Sequence, residues 1–409
     1  MTHKIKYKSI FGVLAGLAIP LSTALQNGML YAILLLALFD PQVRNNLRLS
    51  LRVNFVKACL GLYGLFILGV LWSQAPHVAI IHMLIKVQWL LLVPFIYACM
   101  QNDDFRNSFW LGFLGGVVIS LGFSYVTFLA DKPMFAGARY TTNPWCTFRG
   151  HAYHCYFITI AAVVLLWGLL NRFYAGRMQA VAMLVLGLSV VNIIYLSYSR
   201  TGVMIIFIML ALTLLLWNFK KGLAVAAIAL LVLLPLSYFT SSSIQQRLQL
   251  AKSDVTQYDQ GNSVTSIGLR LEFHKNSLAM IKHKPLLGYG TGSFAEAYQK
   301  FTHFTGIRAT TNPHNDYYWF GIELGLLGVI GLLGVIITGL YDACKRDGLE
   351  RVLGVLIIST YAFIATQWAF FSDNVSGVAL PFLMCGVLAG ASFAKTKHQV
   401  RNLFLLQVK

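Results

Sequence analysis

Uninterrupted apolar runs, separated by short polar turns, recur along almost the whole chain. They lie at Ile10–Leu25, Met29–Phe39, Phe55–Trp72, Val78–Met100, Phe109–Ala130 and Ala152–Leu170. Others follow at Ala180–Tyr198, Val203–Trp217, Leu223–Phe239, Tyr317–Leu340, Val352–Phe371 and Val375–Ala394. Roughly 20 helical residues cross a bilayer core, so the pattern predicts an all-α polytopic membrane protein of about 12 transmembrane helices. It lapses for long only between Thr240 and Asn315. The chain therefore divides into residues 1–239 with nine spans, a loop at 240–315, and residues 316–409 with three spans and a tail.

Within that loop, Gly268 to His283 reads as a helix. It has Leu269, Phe273 and Met280 on one stripe and Arg270 above His274 at i, i+4. A glycine turn, Gly288-Tyr289-Gly290-Thr291-Gly292, follows Pro285, and a second short amphipathic helix is expected at Ser293 to Phe301. The glycine turn follows a helix rather than a strand, so it reads as structural and not as a nucleotide loop.

Composition supports the membrane reading. Of 409 residues, 57% are hydrophobic and 11% charged, against about 25% charged in a soluble domain. The net charge of +18 would suit a nucleic-acid binder, but its distribution argues against one. Nineteen of the 32 Lys and Arg, among them Lys4, Arg44, Arg106, Arg177, Lys220, Arg346 and Lys395, fall in loops and tails on one side of the predicted spans. Basic loops stay in the cytoplasm, which puts both termini inside and residues 240–315 outside. The N-terminus lacks the marks of a cleaved signal and is expected to be retained. Six scattered cysteines, without a CxxC pair or His/Cys ligand spacing, indicate neither a disulfide framework nor a zinc site.

Eight of the remaining basic residues lie in the outer loop, which is unexpected for a positive-inside protein and asks for an anionic ligand. The sharpest local signal is Thr311-Asn312-Pro313-His314-Asn315-Asp316-Tyr317. Asn312 as N-cap and Pro313 as first helical residue would set His314 in the first turn, where the helix dipole keeps an imidazole neutral. A lone His at such a place is often only an interfacial residue, and its company matters more. Arg200, in the turn Ser199-Arg200-Thr201-Gly202, and Arg139 and Arg149, in the preceding outer loop, would stand at headgroup depth. Snorkelling explains such arginines individually; together they suit a diphosphate. Lys86 sits well inside its span and needs a polar cavity or a counter-ion, with Glu323 and Asp373 the nearest acidic candidates. The outer face has no DxD pair or His/carboxylate cluster, so no metal and no cofactor is expected.

The order Ser199-Arg200, Gly268-Leu269-Arg270-Leu271-Glu272-Phe273, Pro285-Leu286-Leu287-Gly288-Tyr289-Gly290, Asn312-Pro313-His314-Asn315-Asp316-Tyr317 and Glu323-Leu324-Gly325 resembles the O-antigen ligase and polymerase superfamily of bacterial envelope glycosyltransferases. The resemblance implies a GT-C-type, metal-independent enzyme of the inner membrane, working on the periplasmic face. It would move a glycan from undecaprenyl diphosphate to lipid A–core oligosaccharide. Arg200, Arg270 and His314 match the positions that the family uses for catalysis. Lys86, Arg139, Arg149, Asn312, Tyr317 and Asp373 are expected at the substrate, the charged ones on position and charge alone. The chemistry agrees: a diphosphate leaves readily when positive charge stabilises it, whereas an acceptor hydroxyl gains from a positioned base. An O-antigen polymerase and a protein O-oligosaccharyltransferase share these features. A lipid-linked oligosaccharide flippase would share the spans and a cationic cavity, but does not need the outer helical segment or the His.

Overall fold

The computed structural model describes residues 7–132, 145–146, 148–197, 199–261, 264–302 and 310–390. Every regular element among them is helical. The chain opens with α1 (Tyr7–Leu21), α2 (Thr23–Phe39) and the amphipathic α3 (Pro41–Ser50). Asp40 ends α2 and caps α3, accepting from the Gln42 and Val43 amides, and the two axes differ by 106°. Pro41 at the first position of α3 reinforces this break. Next come α4 (Asn54–Gly69) with a 3₁₀ turn at Val70–Trp72, then α5 (His77–Lys86), α6 (Trp89–Met100), α7 (Asp103–Ala130) and α8 (His151–Leu170). α9 (Arg177–Val191) runs into a π-helical turn at Asn192–Leu196, and α10 (Arg200–Trp217) and α11 (Phe219–Thr240) follow.

The polar segment folds as α12 (Ser242–Asp259), α13 (Ser266–His283) and α14 (Phe294–Thr302). α13 and α14 lie where the sequence pattern puts them. α12 is additional, on a stretch whose polarity gave no apolar stripe to read. The chain then re-enters the apolar body through α15 (Asp316–Cys344), α16 (Gly348–Ile364) and α17 (Asn374–Leu388).

All twelve apolar runs fall on helices, but fewer have the length to span. Among the described residues eight are long and apolar enough to cross a membrane, or nine if the bent α2–α3 pair is one span. The shortfall lies in α1, α2, α16 and α17, which have 15 to 17 residues each, against roughly 20 needed. α17 is almost wholly buried inside the protein, and an interior helix need not match the bilayer. The protein is a multi-pass membrane protein.

Two elements fix the frame around the polar face. α1 and α7 cross at backbone contact through paired Gly-xxx-Gly motifs, Gly12 and Gly16 against Gly112 and Gly116. A Cβ on Gly16 would sit 2.0 Å from the Phe109 carbonyl, and one on Gly112 would sit 2.2 Å from that of Val13. Small residues at this spacing permit such an approach between apolar helices. The second element is the expected span at Val352–Phe371, which stops as a helix at Ile364. Asp316, fully buried at the start of α15, accepts from the Phe370, Phe371 and Ser372 amides and from the Ser372 hydroxyl. Those bonds hold residues 370–372 in an irregular turn that a continued helix would not allow.

Candidate functional site

The glycine turn is structural, as its context suggests. Tyr289 and Gly290 donate backbone N–H groups to the Ile322 and Glu323 carbonyls. The Glu323 carboxylate accepts from the Gly292 and Phe294 amides. Glu323 thus fastens the polar segment to α15, and its oxygens are committed there rather than to Lys86.

His314 lies next to that joint, but not inside a helix. It has φ +55°, in the left-handed region, and its amide donates to Asn312 Oδ1 at 2.8 Å. The N-cap of α15 is Asn315, whose side chain accepts from the Tyr318 amide at 3.1 Å and donates to the Thr366 carbonyl at 3.1 Å. The expectation that Asn312 caps and that His314 occupies the first turn is therefore corrected by three residues. Asn312 closes an Asx turn instead, which competes with the helical start. A histidine held at positive φ is uncommon, and such conformations cluster at functional sites.

The imidazole sits between two aromatic rings. Phe273 of α13 stacks on it at 6.2 Å and 16°, and Trp368 meets it edge-on at 5.5 Å and 70°. Its Nδ1 is buried without a partner. Burial, then the charge of Arg270, then His274 bring its pKa down to about 4. The neutral form of His314 is thus favoured by burial and by the Arg270 charge rather than by a helix dipole.

Arg270 projects from α13 with its guanidinium 5.7 Å from the Trp368 ring. Its pKa is lowered by burial and by the charge of Arg200, which stands at the first position of α10, behind the Ser199 cap. Neither arginine has a carboxylate within ion-pair distance among the described residues. The π turn before Ser199 belongs to the same construction. Asn192 is fixed by His154 Nε2 at 3.1 Å and donates to Ser124 Oγ at 2.8 Å, all buried in the apolar body. Single π turns inside helices are frequent at functional sites.

Arg200, Arg270 and His314 are brought together; the other expected residues are not gathered equally. Lys86 ends α5 at a helix break, with its ammonium 3.8 Å from the Trp319 ring and within the influence of Asp373, Asp316 and Glu323. Asp373 takes a hydrogen bond from the Tyr153 hydroxyl. Tyr317 donates its hydroxyl to the Ala362 carbonyl at 3.0 Å, an anchor for α16. Arg149 is 3% exposed and is bound to the Ala18 and Ile19 carbonyls, Thr23 and Gln26 at the α1–α2 junction. Arg139 lies outside the described residues.

Sequence reasoning missed Trp368, which touches His314, Arg270 and, at 6.2 Å, His151 at the start of α8. It also left His274 without a role. That ring packs on Tyr318 at 5.2 Å, its Nε2 is buried without a partner, and burial and Arg270 lower its pKa. Trp368 gave no signal because it ends an apolar run, where an aromatic residue is ordinary.

A half-buried imidazole next to Arg270, with Arg200 within charge range of Arg270 and neither arginine ion-paired among the described residues, can accept a proton while an anion is held beside it. Among the described residues no three His, Cys, Asp or Glu side chains converge as a metal-binding group. A protein of Haemophilus influenzae described as uncharacterized is 28% identical over 173 residues, which is 39% of this chain and 43% of that relative. The chain thus matches less than half the length of that relative. Residues 184–333 match the family model described as O-antigen ligase, a range that includes Arg200, Arg270 and His314. Through this segment the chain is similar to the O-antigen ligase family.

Proposed function

We propose that the protein is an O-antigen ligase of the bacterial inner membrane, acting on the periplasmic face with both termini in the cytoplasm. It transfers a glycan from undecaprenyl diphosphate to lipid A–core oligosaccharide. Residues 240–315 form the periplasmic segment between nine and three membrane-associated helices. The convergence of neutral His314 with Arg200 and Arg270, neither ion-paired among the described residues, carries this reading.

In the proposed step the acceptor hydroxyl attacks the anomeric carbon and forms the new glycosidic bond. The bond from that carbon to the diphosphate oxygen breaks, and undecaprenyl diphosphate leaves with the electron pair. His314 takes the hydroxyl proton as the bond forms, and the two arginines stabilise the charge left on the diphosphate. A single displacement inverts the anomeric centre. Lys86, Arg139, Asn312 and Asp373 complete the substrate-facing surface in this reading. Arg149 and Tyr317 contribute by holding helices rather than by contact. The arginines supply positive charge that a divalent cation would otherwise bring, so transfer is metal-independent.

The test is reconstitution of the purified chain in proteoliposomes with undecaprenyl-diphosphate-linked glycan and lipid A–core. The expected result is a joined product that forms in EDTA and carries the inverted linkage. Extension of the lipid-linked glycan without any lipid A–core product would make the protein a polymerase. Movement of the donor across the bilayer with no new bond would make it a flippase.

A further inference from the structure

A second polar recess lies at the far end of α13, thirteen residues beyond Arg270, or about 20 Å at the helical rise. It is a cavity of about 290 Å³ between the Ser73–Ala75 loop, the end of α13, the glycine turn and α14. That is close to the lower end of the roughly 300–1,000 Å³ usual for small-ligand sites. His283, Lys284 and Lys300 supply its cationic lining, Tyr289 and Phe301 its rings, and Glu296 its acid. None of these residues has a part in the transfer step.

The walls are tied in place. The Trp72 indole donates to the Leu287 carbonyl at 2.8 Å, and Ser73 Oγ to the Thr291 carbonyl at 2.8 Å. Thr291 Oγ1 in turn donates to the Phe66 carbonyl at 2.6 Å, so the recess is fixed to the end of α4. Lys284 leans over the Tyr289 ring at 4.6 Å, and Lys300 pairs with Glu296 at 2.6 Å. Exposed apolar residues stand next to these walls in the chain: Leu286, two residues after Lys284, is 66% exposed, and Leu71 and Val78, on either side of the Ser73–Ala75 loop, are 81% and 64% exposed. Trp72 joins them as the kind of residue that marks the membrane–water boundary. Exposed apolar side chains next to lysines in this way suit the boundary where hydrocarbon meets water.

From this placement we infer that the recess is a binding site for the phosphate-bearing headgroup of a membrane lipid. Lys284 and Lys300 receive the phosphate oxygens, and the acyl chains lie along Leu71, Leu286 and Val78. A free solute would draw nothing from those side chains. In the empty site Glu296 neutralises Lys300, and the lipid phosphate displaces it. That competition gives the proposal its sign: removal of the Glu296 charge tightens binding of a phosphate, whereas it would weaken a site built for an ammonium headgroup.

The experiment is native mass spectrometry of the detergent-purified full chain, titrated separately with dioleoyl-phosphatidylglycerol, bis-phosphorylated lipid A and phosphate-free dioleoylglycerol. Phosphatidylglycerol and lipid A should form a saturable adduct and dioleoylglycerol none. Loss of charge-assisted contacts in the Lys284→Gln, Lys300→Gln double variant should weaken the adduct about tenfold or more. Glu296→Gln should strengthen it. His314→Ala and Arg270→Lys should leave this adduct unchanged, which separates the recess from the transfer site. Equal binding of dioleoylglycerol, parental binding by the double variant, or weaker binding by Glu296→Gln would each overturn the site. Glycerol 3-phosphate that displaces the lipid at equal concentration would overturn its assignment to a lipid.

Discussion

Two pairs of arginines meet the apolar body of this protein in opposite ways. Arg149 and Arg106 are 3% and 4% exposed, and their terminal guanidinium nitrogens are bonded into the fold. Arg149 binds the carbonyls of Ala18 and Ile19 where α1 gives way to α2, and Arg106 binds the Met100 carbonyl and Asp103. Arg200 and Arg270 are only half-buried and repel one another, Arg270 lies beside the Trp368 ring, and neither has a carboxylate partner among the described residues. Depth and charge alone put Arg149 and Arg200 in one class. What separates them is whether the guanidinium donors are already taken. A filled guanidinium holds helices, and an unfilled one is available to an anion.

The comparison breaks first at His314, which should contribute to rate and not to donor binding. His314→Ala should lower transfer by about 10²–10⁴ while donor-lipid affinity is kept. Single-turnover transfer and equilibrium donor binding, measured separately, decide this; a variant that transfers at the parental rate removes His314 as the base. Acid titration of the parent sharpens the point. Since the folded imidazole has a pKa near 4 rather than 6.5, it stays unprotonated as the pH falls through 6.5. Transfer should therefore hold level through pH 6.5 and fall only towards 4, whereas any share His314 has in folding stability should decline from 6.5 downward, as the unfolded chain takes up the proton first, and level off below 4. A half-maximal rate at 6.5 would contradict a half-buried imidazole next to Arg270.

Next in size are the unfilled arginines. Arg200→Lys and Arg270→Lys keep the charge but lose the planar fork, and each should slow transfer by about 10²–10³. Rates within twofold of the parent would show that a point charge suffices.

Arg149→Met should do the reverse, lowering stability with little change in transfer per folded molecule. Each buried carbonyl left without a donor costs about 1–3 kcal/mol. A large drop in turnover at unchanged thermal midpoint would move Arg149 into the functional pair.

The smallest effect is expected at Trp368. Trp368→Phe keeps a ring beside His314 but weakens the face beneath Arg270. Cation–π contacts are worth about 0.5–1 kcal/mol at exposed sites, so donor affinity should fall only two- to fivefold by calorimetry.

Much of the architecture was legible because apolar periodicity is a local property. Among the described residues each of the twelve runs is mainly helical, and α13 and α14 emerged within two residues of their expected positions. The lengths were not legible where a distant group intervenes. Nothing in Val352–Phe371 announces that Asp316 will capture its last amides and end α16 at Ile364. The site divides in the same way. Arg200, Arg270 and His314 stand in motifs, but the surroundings of His314 come from Phe273 and Trp368, some 40 and 54 residues away. Even the local prediction failed where two asparagines compete: Asn312 and Asn315 are both good caps, and only packing against Thr366 selects the second.

The glycine crossing of α1 and α7 bears on how the protein comes to exist. α1 has 15 residues, too few to settle comfortably across a bilayer alone, and its tightest partner begins at Asp103. Gly112 leaves the ribosome about a hundred residues after Gly16, which at about 5–20 residues per second is a wait of roughly 5–20 s. Through that interval the first helix has no glycine face to meet, and whatever inserts the chain must shelter it. A larger residue at Gly16 or Gly112 would make that shelter permanent, so its damage would register in the yield of inserted protein before any property of the finished enzyme.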